Sequence, residues 1–124
     1  MNRRITLITA SVLGALAVSI GAFGAHALKP TLIQAGKLEV FELATRYQFY
    51  HTLALLAVGI LQKFIFDKKL EYASLFLLIG TVLFCGSLYL LCFIKLGGVG
   101  LITPIGGVFL ILGWVFLLLG VAKK

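Results

Sequence analysis

Two histidines, an arginine and a few neutral hydrogen-bonding side chains stand out from a chain that is 61% hydrophobic and 12% charged. His26 closes one apolar run, and Arg46, Gln48 and His51 open the next. Ser87 and Tyr89 lie in the later half of a third run, and Thr103 begins a fourth. Arginine and imidazolium hold anions, while hydroxyls and amides orient them. Polar groups in or at the rim of apolar segments are costly, so a cluster of them is a candidate binding site. The competing reading is anchoring. Arg and Tyr settle at helix ends among lipid headgroups, and a histidine there bonds a loop carbonyl. Both readings stay open on sequence.

Other chemistries find little support. The chain shows no paired carboxylates, no nucleophile–base spacing and no metal motif, so no enzyme, cofactor or metal site is expected. The acids Glu39, Glu42, Asp67 and Glu71 all fall in connections or at the ends of apolar runs. A proton-coupled carrier of the small drug-exporter kind needs an acid deep in the membrane. Two histidines on neighbouring helices suit axial haem ligation, yet both lie near segment ends and no third ligand accompanies them. Cys85 and Cys92 sit on one apolar run, separated by roughly 10.5 Å of helix rise, too far to bridge. They read as packing thiols. The formal net charge of +7 comes from basic residues at the ends of apolar runs. With no basic face interleaved with aromatics, these charges signal topology and headgroup contact, not nucleic-acid binding.

The elements that must position these residues are apolar helices. The charged fraction is about half the ~25% of a soluble domain, and the apolar residues come in long runs. Residues 1–124 read as a single all-α membrane domain, a compact bundle of four transmembrane helices. The spans are placed at about 5–27, 46–62, 72–94 and 103–122. Arg3-Arg4, an apolar run and Ala25-His26-Ala27 imitate a signal peptide. The run is too long for one and reads as an uncleaved helix. Lys29-Pro30 ends that helix, since proline disfavours helix in the residue before it. Residues 31–45 alternate charge with Leu38, Phe41 and Ala44, predicting an amphipathic interfacial connection that lends the short second span a turn, with Glu42 and Arg46 paired across it. Thr103-Pro104 predicts a capped start for the fourth span.

Small residues mark the packing faces. Gly14, Gly21 and Gly24 alternate with Ala10 and Ala17 at steps of three and four in the first span. Gly80 lies midway between Ala73 and Ser87 in the third, and Gly106, Gly113 and Gly120 recur every seven residues in the fourth. Such seams let helices approach closely in lipid.

Arg3, Arg4, Lys63, Lys68, Lys69, Lys123 and Lys124 would share one side, and Lys29, Lys37, Arg46 and Lys95 the other. That excess predicts both termini in the cytoplasm and the polar cluster in the outer half. His51, five residues beyond Arg46, would then lie about one turn below the interface.

The words GAFGAHAL at 21–28, YQFYH at 47–51, GSLYLL at 86–91, TPIGG at 103–107 and Gly113-Trp114, in that order, resemble one known family. It is the small membrane proteins of the YgdD/YwdK type, a domain of unknown function. The resemblance covers nearly the whole chain. It implies four transmembrane helices and a bacterial plasma-membrane location, and no established activity. Two functions therefore stand side by side. One is a non-enzymatic envelope protein, structural or regulatory, acting through membrane lipids, protein contacts or its own copies. The other is a carrier or binding protein for a small anionic or lipidic molecule. Direct side-chain bonding without a cavity favours the first, and a pocket lined by Arg46 and His51 the second.

Overall fold

The computed structural model describes residues 1–95 and 97–122. Among them five helices and no strands form: α1 (Arg3–Ala25), α2 (Lys29–Ala35), α3 (Leu38–Leu61), α4 (Lys68–Phe93) and α5 (Val99–Ala122). α1, α4 and α5 are long and apolar enough to cross a membrane. α3 matches them in length at 24 residues. Its first half, however, carries Glu39, Glu42, Arg46 and Gln48, with His51 just past the middle. Three helices, where four were expected, thus meet the requirement on their own composition.

Most helix starts, and the end of α1, differ from the sequence expectation for local reasons. α1 begins at Arg3, where the Asn2 side chain accepts from the Ile5 N–H. It stops at Ala25, before the proline acts, and the Leu28 N–H turns back to the Phe23 carbonyl at 2.9 Å. Pro30 does not end α1; it opens α2, in the first turn where its missing N–H costs nothing. The expected amphipathic connection is two pieces. α2 closes on Gly36, whose φ of 67° is left-handed and suits glycine. α3 then starts at Leu38, eight residues ahead of Arg46, so His51 lies in the middle of a helix and not one turn from its end. Glu42 and Arg46 do not pair; the ion pair formed among the described residues joins Lys69 to Asp67 at 3.9 Å. Asp67 caps α4 through the Lys69 N–H, so the helix starts at Lys68, four residues before the expected start. Thr103 does not cap a helix, because α5 already runs from Val99. Pro104 sits in its second turn. The acceptor left without a donor is the Gly100 carbonyl, in the exposed first turn. Of the seven basic residues assigned to one side, Lys123 and Lys124 lie outside the described residues.

The helices pack as two antiparallel pairs, α1 with α3 and α4 with α5, joined along α3 and α4. The α4–α5 pair has a regular register. A Cβ at Gly106 would fall 2.8 Å from the Phe84 Cα, one at Gly113 2.7 Å from Leu77, and one at Gly120 2.9 Å from Leu70. In return, a Cβ at Gly80 would fall 2.7 Å from the Leu110 nitrogen. Each step of three or four along α4 is met by an equal step back along α5. Side chains of this size exclude a neighbouring Cβ, so glycine sets the separation.

On α1, Gly24 faces the Phe41 ring, Gly21 faces Thr45 and Gly14 faces Thr52 of α3. A shared interior of Ala10, Ala54, Leu55, Val58, Leu70, Ala73, Leu77 and Leu110 draws on all four long helices. At one end, the Met1 carbonyl accepts from the Gln62 amide at 2.7 Å, holding the start of α1 beside the end of α3. At the other end, Leu32 of α2 is fully buried against Phe41 and Cys92.

Candidate functional site

Seven residues were expected to share one polar cluster; the structure sorts six of them into four places and leaves His26 apart. The first is a link across three helices. The Tyr89 hydroxyl of α4 donates to Gln48 Oε1 of α3 at 2.7 Å, and Gln48 Nε2 donates to the Leu13 carbonyl of α1 at 3.1 Å. Gln48 is buried, so both ends of its amide are spent inside the protein.

The second is an imidazole between two helices. His51 Nδ1 lies 2.8 Å from the Tyr47 carbonyl, and Trp114 Nε1 of α5 lies 3.1 Å from His51 Nε2. A carbonyl only accepts and an indole N–H only donates. Nδ1 therefore carries the proton and Nε2 the lone pair, so His51 is a neutral ring with both nitrogens occupied. Tyr47 stacks on it at 5.8 Å between centroids and on Phe84 at 4.8 Å. The rings of Phe84, Tyr47, His51 and Trp114 thereby bridge α4, α3 and α5.

The third is the hydroxyl pair Ser87 and Thr103. Ser87 Oγ donates to the Phe84 carbonyl at 2.9 Å, so Thr103 supplies the proton of the bond between the two side chains. The pair continues the α4–α5 register one turn beyond Gly106.

Arg46 stands in the fourth place, a cleft of about 280 Å³ where α1, α2 and α3 meet. Leu38, Phe41, Thr45 and Phe49, at helical steps on α3, form one wall. Gly21 and Gly24 of α1 form the other, bare of side chains. Lys29 at the start of α2 and the exposed Glu42 and Arg46 complete it. His51 does not line this cleft. Neither does His26, which caps α1 on an exposed turn.

Several contributors escaped a reading of the sequence. Trp114 was read only as part of a motif word, although an indole on a neighbouring span is a natural donor to an imidazole. Lys29 and Glu42 were read as topology and interface charges; their neighbourhood depends on the turn at 26–28. A second polar network was also missed, at the opposite end of the bundle. There Met1, Gln62, Ser74 and Thr6 exchange hydrogen bonds. Among the described residues, no three His, Cys, Asp or Glu side chains are grouped to hold a metal ion.

Residues 20–107 match the family described as "Protein of unknown function (DUF423)". This chain belongs to that family. Among DUF423 relatives, it is 46% identical over 116 residues to a UPF0382 membrane protein of Staphylococcus saprophyticus, covering 90% of this chain and 95% of that one. It is 38% identical over 125 residues to the UPF0382 inner membrane protein YgdD of Escherichia coli, covering 99% and 93%. No solved structure matches the chain.

Proposed function

We propose that this DUF423 protein is a non-enzymatic, multi-pass plasma-membrane protein with a structural or regulatory role, working through contacts with lipid or with other proteins. In this reading α3 is a fourth span, and both termini face the cytoplasm. The observation that carries it is how the interior polar groups are used. Gln48, Tyr89, His51, Ser87 and Thr103 bond to one another, to Trp114 or to backbone carbonyls. A polar group in lipid is expensive unless it is bonded internally. Side chains already partnered across helices hold a bundle together, and their bonding capacity is spent within the protein. The names of the relatives, membrane and inner membrane proteins, support the same location.

Native mass spectrometry of gently extracted protein tests the reading. Co-purified phospholipid or a stoichiometric protein partner is the expected result. A bare monomer that turns over an added small molecule overturns it.

A second reading, a binding protein for an anionic or lipidic small molecule, is favoured by one feature. The cleft beside Arg46 is open to the outside and lined by residues of both polarities.

A further inference from the structure

The cleft at the junction of α1, α2 and α3 carries more information than a surface charge would. Lys29 and Arg46 bring two cations to it, and Glu42 brings one anion. Glu42 and Arg46 lie one turn apart on α3 yet do not pair within 4.0 Å. No hydrogen bond to another described residue engages either side chain. The remaining surface is apolar apart from Thr45, whose hydroxyl donates to the Phe41 carbonyl: Leu38, Phe41 and Phe49 on one wall and Gly21, Gly24 and Ala25 on the other. The two walls meet where the Phe41 ring packs on Gly24, since a Cβ there would lie 2.8 Å from Cδ1 of Phe41.

Two cations beside apolar walls suit a phosphate attached to a lipid. Arginine binds phosphate through a planar fork and lysine as a point charge. Glu42 is unfavourable for such a ligand if the ligand is purely anionic. It becomes favourable if the ligand brings a cation of its own near the phosphate. A volume of about 280 Å³ is small for a whole amphiphile, since small-molecule sites run from ~300 Å³ upward. It suits a headgroup, with the chains lying outside.

The geometry points to a site for a phosphoethanolamine headgroup, with its phosphate on Arg46 and Lys29 and its amine on Glu42. This rests on the reading that the protein works through lipid contacts, and it names the lipid chemistry.

The test uses the full chain in nanodiscs holding equal amounts of phosphatidylethanolamine and phosphatidylglycerol, released into native mass spectrometry. Wild type should retain the ethanolamine lipid in excess by roughly threefold or more, with Arg46→Gln cutting that retention roughly tenfold, the effect of losing one charge-assisted contact. Glu42→Gln should bring the two lipids to near equality, and Lys63→Gln, at the other end of α3, should change nothing. Lys29→Gln serves in place of Arg46→Gln should that variant not accumulate. Soluble phosphoethanolamine is the arm for a free ligand; competition by it at micromolar concentration would show that the lipid chains are dispensable and overturn the lipid assignment. Retention without headgroup preference, or a preference that survives Arg46→Gln and Glu42→Gln, overturns this inference alone. A wild type that retains neither lipid nor protein overturns the broader reading too.

Discussion

Gly106→Ala separates glycines that set a helix distance from glycines that do not. A Cβ at Gly106 lies 2.8 Å from the Cα of Phe84 and 3.0 Å from the carbonyl carbon of Leu83. These are backbone atoms and cannot rotate aside. The Phe84 nitrogen lies closer still, and ordinary contact starts near 3.4 Å, so α5 must lift from α4 by roughly an ångström. Overfilling a close-packed seam costs about 1–3 kcal/mol, against a gain of up to ~1 kcal/mol from removing a mid-helix glycine. The expected net is a loss of about 1–2 kcal/mol. Gly86 on α4 is the matched control, with nothing within 4 Å of its built Cβ. Gly86→Ala takes the backbone gain alone and should stabilise by about 0.5–1 kcal/mol. The assay is reversible unfolding by SDS titration in mixed micelles. Its probe is fluorescence from Trp114, the sole tryptophan of the chain, which lies on α5 two turns from Gly106. The two midpoints should move in opposite directions. Equal shifts of one sign would mean that close approach at Gly106 does not hold α4 against α5.

Three further outcomes follow from other contacts. Tyr89→Phe removes the donor to Gln48 and should cost about 0.5–1.7 kcal/mol in the same titration; in a Gln48→Met background that cost should vanish, and an undiminished cost would show that the two are not coupled. Trp114→Phe leaves His51 Nε2 without its donor and should cost about 1 kcal/mol, followed by loss of helicity because the fluorophore is gone; a midpoint equal to wild type would refute the tautomer derived above. Cysteines introduced at Lys37 and Lys63, in a background with Cys85 and Cys92 replaced by serine, should label from opposite sides of the membrane; labelling from one side would show that α3 does not cross.

Much of the helical frame was legible because apolar run length and small-residue spacing act locally. The step of three and four through Gly14, Gly21 and Gly24 needs no tertiary knowledge, and those positions do lie against α3. Helix ends were less legible. Pro30 and Pro104 each suit the first turn of a helix equally well from sequence. Which turn starts where depends on cooperative backbone bonds, as in the stop at Ala25 and the start at Val99. The polar cluster was the least legible part. Gln48 and His51 are nearly one helical turn apart and share a wide face, yet one bonds toward α1 and α4 and the other toward α5. Their separation follows from which helix lies beside each, information that no spacing along α3 contains. The cleft was hidden for the same reason, since Lys29 reaches it only through the tight turn after α1.

The division of α3 into a charged first half and an apolar second half bears on biogenesis. Taken alone, such a segment is a poor candidate for release from a translocation channel into the bilayer. Between helices, Gln48 and His51 find partners in Leu13 of α1, already made, and in Tyr89 and Trp114, which have yet to be synthesised. If α3 is the fourth span, as proposed above, committing it to the lipid is a delayed event, completed when the last two helices arrive. In a chain truncated after residue 67, cysteines at Lys37 and Lys63 should label from one side of the membrane, whereas in the full chain they label from opposite sides.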